Sequence, residues 1–133
     1  MSALEAFPLQ PCVFCTPSAE RIFLENDLCF AFWDAFPVTD RHALIVPRRH
    51  EANFFELSVA ERDSCSAMLR SAHDLLRCED PTIEGFNIGV NVGASAGQTV
   101  FHCHIHLIPR RTGDVANPRG GVRNVFPEKG DYR

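Results

Sequence analysis

The run His102-Cys103-His104-Ile105-His106-Leu107-Ile108-Pro109 places three imidazoles at alternate positions. In an extended strand, alternate side chains share one face, about 7 Å apart. The pattern predicts His102, His104 and His106 in a row, with Cys103, Ile105 and Leu107 turned toward apolar packing. Each imidazole carries a donor and an acceptor that need partners, so three in a line make poor core filler. Two chemistries use such a row: a metal centre, and nucleophilic catalysis by neutral imidazole. Just upstream, Ser95-Ala96-Gly97-Gln98-Thr99 is a small-residue loop. Its backbone N–H groups, the Gln98 amide and the Thr99 hydroxyl suit a phosphate. Cys12-Val13-Phe14-Cys15 supplies two thiols at a spacing that makes half a tetrahedral zinc site.

These groups need a scaffold. Residues 21–25 and 28–33 are apolar runs on either side of Asn26-Asp27, which predicts a β-hairpin closed by a two-residue turn. Pro37 breaks the loop over 34–40. Residues 42–46 read as a buried strand that stops at Pro47. Residues 57–77 predict a helix with an apolar stripe of Leu57, Ala60, Met68, Leu69, Ala72, Leu75 and Leu76. Ser58 and Glu61 form a capping box at its start, and Asp80-Pro81 ends it. Residues 86–92 and 99–109 alternate as strands around the 93–98 loop. The expected class is α+β: a five-stranded antiparallel sheet with one long helix.

Composition bounds the rest. A chain of 133 residues, 45% of them hydrophobic, is long enough for one domain with its own core. We expect a single domain over 1–133, with a core over about 12–110, a loose lead-in over 1–11 and a basic tail over 111–133. Net charge of −4 and a pI near 5.8 argue against a nucleic-acid partner. No apolar run approaches the ~20 residues of a membrane span, and the first ten residues do not read as a secretory signal. Six Cys and six His without an export signal point to a cytoplasmic, reducing compartment. Cys29, Cys65, Cys78 and Cys103 read as small apolar residues, and His73 as solvated.

The triad run fits the pattern His-φ-His-φ-His-φ-φ, and the whole order of motifs agrees with it. That order is Cys-x-x-Cys, hairpin, Asp34, His42, Ile-Val-Pro-x-x-His, helix, Asn91, Gly97-Gln98-Thr99 and triad. In this the chain resembles the histidine triad (HIT) superfamily of nucleotide hydrolases and transferases. The tail, with Asn117-Pro118-Arg119-Gly120-Gly121-Val122-Arg123, resembles bacterial members described as diadenosine polyphosphate hydrolases. The resemblance implies that His104 attacks the α-phosphorus of a nucleotide to form a nucleotidyl-histidine, which water then hydrolyses. It implies catalytic support from His106, His42 and Gln98. It implies substrate binding by Asp34 at the ribose, Asn91 near ribose and phosphate, and Thr99 at phosphate, with Val13, Phe14 and Phe32 lining the base pocket. The substrate would be a dinucleoside polyphosphate or an adenosine phosphoramidate.

The resemblance also implies structural zinc, held by Cys12, Cys15, His50 and His102. It further implies a homodimer that joins two sheets into one of ten strands. Arg110, Arg111, Arg119 and Arg123 would attract the distal phosphates of a polyphosphate, or else belong to a solvated tail. Members commonly have Pro-Gly-His before the strand at His42; here Arg41 replaces the glycine, in a setting where glycine would permit positive φ. Rival readings stay open. These are a nucleotidyltransferase or phosphorylase of the same chemistry, a hydrolase with catalytic zinc among His102, His104 and His106 or His42, and a non-catalytic nucleotide-binding protein.

Overall fold

The computed structural model describes residues 12–132; the expected lead-in over 1–11 lies outside them. Five strands, β1 (Ile22–Glu25), β2 (Cys29–Trp33), β3 (Ala43–Pro47), β4 (Gly85–Val90) and β5 (Ile105–Arg110), form one sheet of order β1-β2-β3-β5-β4. Every neighbouring pair is antiparallel. The single long helix, α1 (Val59–Glu79), carries the chain from β3 to β4. This is the expected α+β architecture.

The period-2 pattern explains why the central strands are buried throughout. Cys29, Ala31, Ala43, Ile45, Ile105 and Leu107 face α1 and meet Cys65, Met68, Ala72 and Leu76. Phe30, Phe32, Leu44 and Val46 face the other way, where Phe14 covers them. Burying each large side chain in these layers contributes roughly 1.5–3 kcal/mol. Small residues at Cys29, Ala31, Ala43 and Ala72 let helix and sheet approach closely.

Ser58 caps α1: its side chain accepts from Glu61 N–H at 3.0 Å, and the Glu61 carboxylate accepts from Ser58 N–H at 2.8 Å. The buried stripe is Glu61, Cys65, Met68, Ala72 and Leu76. Ala60 is exposed, and Cys78 is exposed near the helix end. The hairpin loop holds three residues rather than two. Asn26 Oδ1 accepts from both Leu28 N–H and Cys29 N–H, so the side chain itself closes the turn.

The largest departure concerns the histidine run. The strand begins at Ile105, not Thr99. Cys103 N–H leaves the sheet to bond Glu51 O at 2.6 Å. Only His106 of the three histidines therefore lies in a strand, although Phe14 still touches both His102 and His104, and His104 and His106 still border one cavity. The tail is mostly exposed, yet its arginines are bonded. Arg110 pairs with Asp114, Arg111 with Asp80 and Arg119 with Asp131, and Arg123 donates to Gly130 O and Lys129 O.

Candidate functional site

The break before β5 sends the histidines to two places. His102, fully buried, turns toward the N-terminal thiols. Its Nδ1 lies 3.5 Å from Cys12 Sγ and 3.5 Å from Cys15 Sγ, and Cys15 Sγ lies 3.2 Å from His50 Nδ1. All four donor atoms fall within 4.8 Å of one another. Two donors on a tetrahedral zinc, with Zn–S about 2.3 Å and Zn–N about 2.05 Å, stand about 3.6 Å apart. The donor set and its separations therefore fit zinc. His102 Nε2 bonds Pro47 O at 2.7 Å, which makes Nε2 the protonated nitrogen and leaves Nδ1 free as a ligand. Pro47 ends β3, so the strand boundary presents both that carbonyl and, three residues on, His50.

His104 borders a cavity instead. Its Nδ1 lies 2.9 Å from His102 O. A carbonyl only accepts, so Nδ1 carries the proton, and in the neutral ring Nε2 keeps its lone pair. The Phe14 ring meets the imidazole edge-on at 4.8 Å. His106 stands beside it, with ring centroids 5.2 Å apart.

A second chain of bonds settles the tautomers behind His106. Val38 N–H donates to His42 Nδ1 at 3.1 Å. His42 Nε2 must then carry the proton, and it donates to His106 Nδ1 at 2.9 Å. His106 is left with Nε2–H as a donor. His42 is held there by the register Leu44↔His106, Ala43↔Leu107 of β3 and β5. Asp34 Oδ2 lies 3.5 Å from His42 Nε2. Burial, with the neighbouring charges of His104 and His42, pushes His106 down to about 4, and burial likewise lowers His42 against the pull of Asp34. Both are neutral at neutral pH.

His104 and His106 border a cavity of about 420 Å³ that also takes in Asp34, Asn91, Thr99, Val13 and Phe14. These expected site residues are thus brought together. Asp34 keeps Oδ2 toward His42, while Oδ1 accepts Phe36 N–H at 2.8 Å. Phe32 is fully buried beneath Phe14, ring centroids 5.3 Å apart, and supports the wall rather than forming it. Gln98 does not line the cavity. Its oxygen accepts from Gly93 N–H and its nitrogen donates to Ala52 O and Val100 O, so its amide staples three loop segments. The expected anion cradle is largely closed, because the N–H groups of Ala96, Gly97 and Gln98 bond within their own turn.

Several lining residues escaped the sequence reading, Arg21 and Phe36 among them. Nothing in their local spacing marks them; only the strand register, which carries Ile22 across Phe32 and Leu44 to His106, places Arg21 on this face. Arg41 takes φ 70°, the left-handed conformation that glycine would adopt, and its guanidinium bonds Glu79 at 2.7 Å.

Comparisons with known proteins bear on the family and the fold. The family model described as "HIT domain" matches residues 16–113. An uncharacterised HIT-like protein of Saccharolobus solfataricus is 37% identical over 102 residues, covering 74% of this chain and 73% of that protein. The adenylylsulfatase HINT3 of Arabidopsis thaliana is 33% identical over 108 residues, covering 77% of this chain and 54% of the plant protein, about half its length. Among solved structures, a zinc-bound histidine triad family protein from Mycobacterium smegmatis superposes with a TM-score of 0.71 at 29% identity, covering 80% of this chain and 79% of that one.

Proposed function

The chain belongs to the HIT family, and on that premise we propose that it is a nucleotide hydrolase working through a nucleotidyl-histidine intermediate. The observation that carries this reading is the bond from His104 Nδ1–H to His102 O, which leaves Nε2 unprotonated at the cavity. His104 Nε2 attacks the α-phosphorus, and the bond to the leaving group breaks with its electron pair going to that group. His106 Nε2–H donates a hydrogen bond to the departing atom, where negative charge develops. The leaving group takes up its proton from solvent. Water then attacks phosphorus, the phosphorus–nitrogen bond breaks, and its electron pair returns to Nε2. The nucleoside monophosphate and one proton are released.

Around this centre, Asp34 would accept the ribose hydroxyls through Oδ2, and Thr99 and Asn91 would bind phosphate oxygens. Val13 and Phe14 would hold the base, with Phe32 supporting Phe14 from beneath. Gln98 acts as a positioning residue through the loop it staples. We assign Cys12, Cys15, His50 and His102 to a structural zinc, whose contribution is to cross-link the N-terminal segment to the triad. We also read the tail as part of the same domain. β4 is an edge strand with Ile88 exposed; we assign it to a homodimer with a ten-stranded sheet. The six cysteines, all free, are compatible with a reducing, cytoplasmic setting.

The test is a substrate panel of diadenosine polyphosphates and adenosine phosphoramidate on wild type and His104→Ala. Wild type should release adenosine monophosphate, and His104→Ala should not. Full activity in His104→Ala would overturn the mechanism. Turnover that dies on chelation in protein that stays folded would favour a catalytic metal instead. The geometry gives that reading little support, since His102 Nδ1 lies among the thiols while His104 bonds a carbonyl.

A further inference from the structure

Arg21 stands at the far end of the cavity from the reacting histidines. Ile22 pairs with Phe32, Phe32 with Leu44, and Leu44 with His106. Three interstrand steps of about 4.8 Å put β1 about 14 Å from β5. Arg21 immediately precedes β1, its guanidinium lies 4.9 Å from the Phe32 ring centroid, and it borders the same cavity as His104. Its Nε and Nη2 both donate to Trp33 O, at 3.2 and 2.9 Å. Those two bonds occupy one edge of the guanidinium and lock its plane. The end edge, with one N–H of Nη1 and one of Nη2, keeps its two parallel donors.

Other arginines around the sheet close on carboxylates: Arg48 on Glu25, Arg49 on Glu61, Arg110 on Asp114 and Arg111 on Asp80. Among the described residues, Arg21 shows no such ion pair; its bonds go to a carbonyl. A half-buried, immobilised fork without a carboxylate is suited to a ligand with two adjacent acceptors.

If a nucleotide lies with its α-phosphate at His104 and its ribose at Asp34, the base reaches the Arg21 end. Guanine presents O6 and N7, two acceptors matched to a guanidinium fork. Adenine presents N7 beside the N6 donor, which sets hydrogen against hydrogen. Resting on the hydrolase reading above, we propose that Arg21 reads the base edge and that the site takes guanine nucleotides in preference to adenine ones.

The experiment measures Kd for guanosine, inosine and adenosine monophosphates by calorimetry, and kcat/KM for guanosine and adenosine phosphoramidates, on wild type, Arg21→Gln and Arg21→Lys. Wild type should favour guanine over adenine by about tenfold or more. Inosine, which shares O6 and N7, should follow guanosine. Arg21→Gln should bring the ratio near one, and Arg21→Lys should lose most of it because a point charge lacks the fork. Each ratio is internal to one protein, so general loss of fold cancels, and the wild-type base series stands even if a variant fails to fold. A wild-type ratio near one, inosine behaving like adenosine, or a ratio unchanged in Arg21→Gln would overturn the proposal. Equal turnover of both substrates through a His104 intermediate would remove the base reading and keep the hydrolase; binding of none of the nucleotides would remove both.

Discussion

His106 can donate to a leaving group only because His42 donates to it, and His42 donates only because Val38 N–H occupies its other nitrogen. This chain predicts a dependence on leaving-group basicity. His106→Gln should slow hydrolysis about 10²–10⁴-fold for a basic leaving group and far less for a nitrophenolate. Steady-state rates across a graded series would check this, and equal losses for all members would remove His106 from that role. Arg41 offers a separate prediction. Its φ of 70° costs about 1–2 kcal/mol for a side-chain-bearing residue, while its ion pair with Glu79 is on the surface and such pairs contribute about 1 kcal/mol or less. Arg41→Gly should therefore leave stability within about 1 kcal/mol of wild type, whereas Arg41→Val should lower it by more than about 1 kcal/mol. Chemical denaturation measures both; a larger loss in the glycine variant would show that the Glu79 contact governs the turn.

At the scale of elements, the cap of α1 and the metal-ligand segment are one structure. Glu61 accepts from Ser58 N–H, and its two oxygens also take Arg49 Nε and Nη2. Arg49 precedes His50, so the helix cap anchors the segment bearing a proposed ligand. The Arg49 fork, with the Ser58 amide, holds the Glu61 carboxyl down to about 2 from its ordinary 4.5. A depressed carboxyl stabilises the fold fully above about pH 4.5 and loses that contribution as pH falls through about 2. Glu61→Gln should thus be less stable than wild type at neutral pH, with the difference closing below about pH 2. Ser58→Ala should cost about 1 kcal/mol at all these pH values. Cys12→Ser should chiefly lower the melting temperature; lost nucleotidyl transfer with unchanged melting would contradict a structural metal.

Much of this scale was legible in the sequence. The capping box announced the helix, continuous apolar runs announced β2 and β3, alternation announced β4, and the ordered motifs announced the family and five residues bordering the cavity besides its two histidines. Alternation misled at 99–104 because it reports which way side chains point, not where backbone hydrogen bonds go. There a thiol cluster and Glu51 O draw the chain out of the ladder. Gln98 misled because a buried amide beside a glycine looks the same whether it serves a phosphate or a loop. Arg21 was invisible because its place follows from register across three strand pairs.

The whole molecule divides its labour between the two faces of one sheet. One face packs α1 and is closed; the other carries Phe14, the cavity and the histidines. The tail joins that frame through paired arginines, and Arg119 and Arg123 are both set against the Tyr132 ring at 5.0 and 5.2 Å. At β4 the sheet ends in an open edge, and the chain should therefore sediment at twice its 14.9 kDa mass, with Ile88→Pro reducing it to a monomer. A monomeric wild type would contradict the ten-stranded sheet. The central claim is that His104 is the nucleophile, and quenched-flow capture tests it most directly. With substrate labelled at the α-phosphate, wild type should yield acid-labile, base-stable label on the protein within one turnover, and His104→Ala none. Label-free protein during active turnover by wild type, or label retained in His104→Ala, would contradict it.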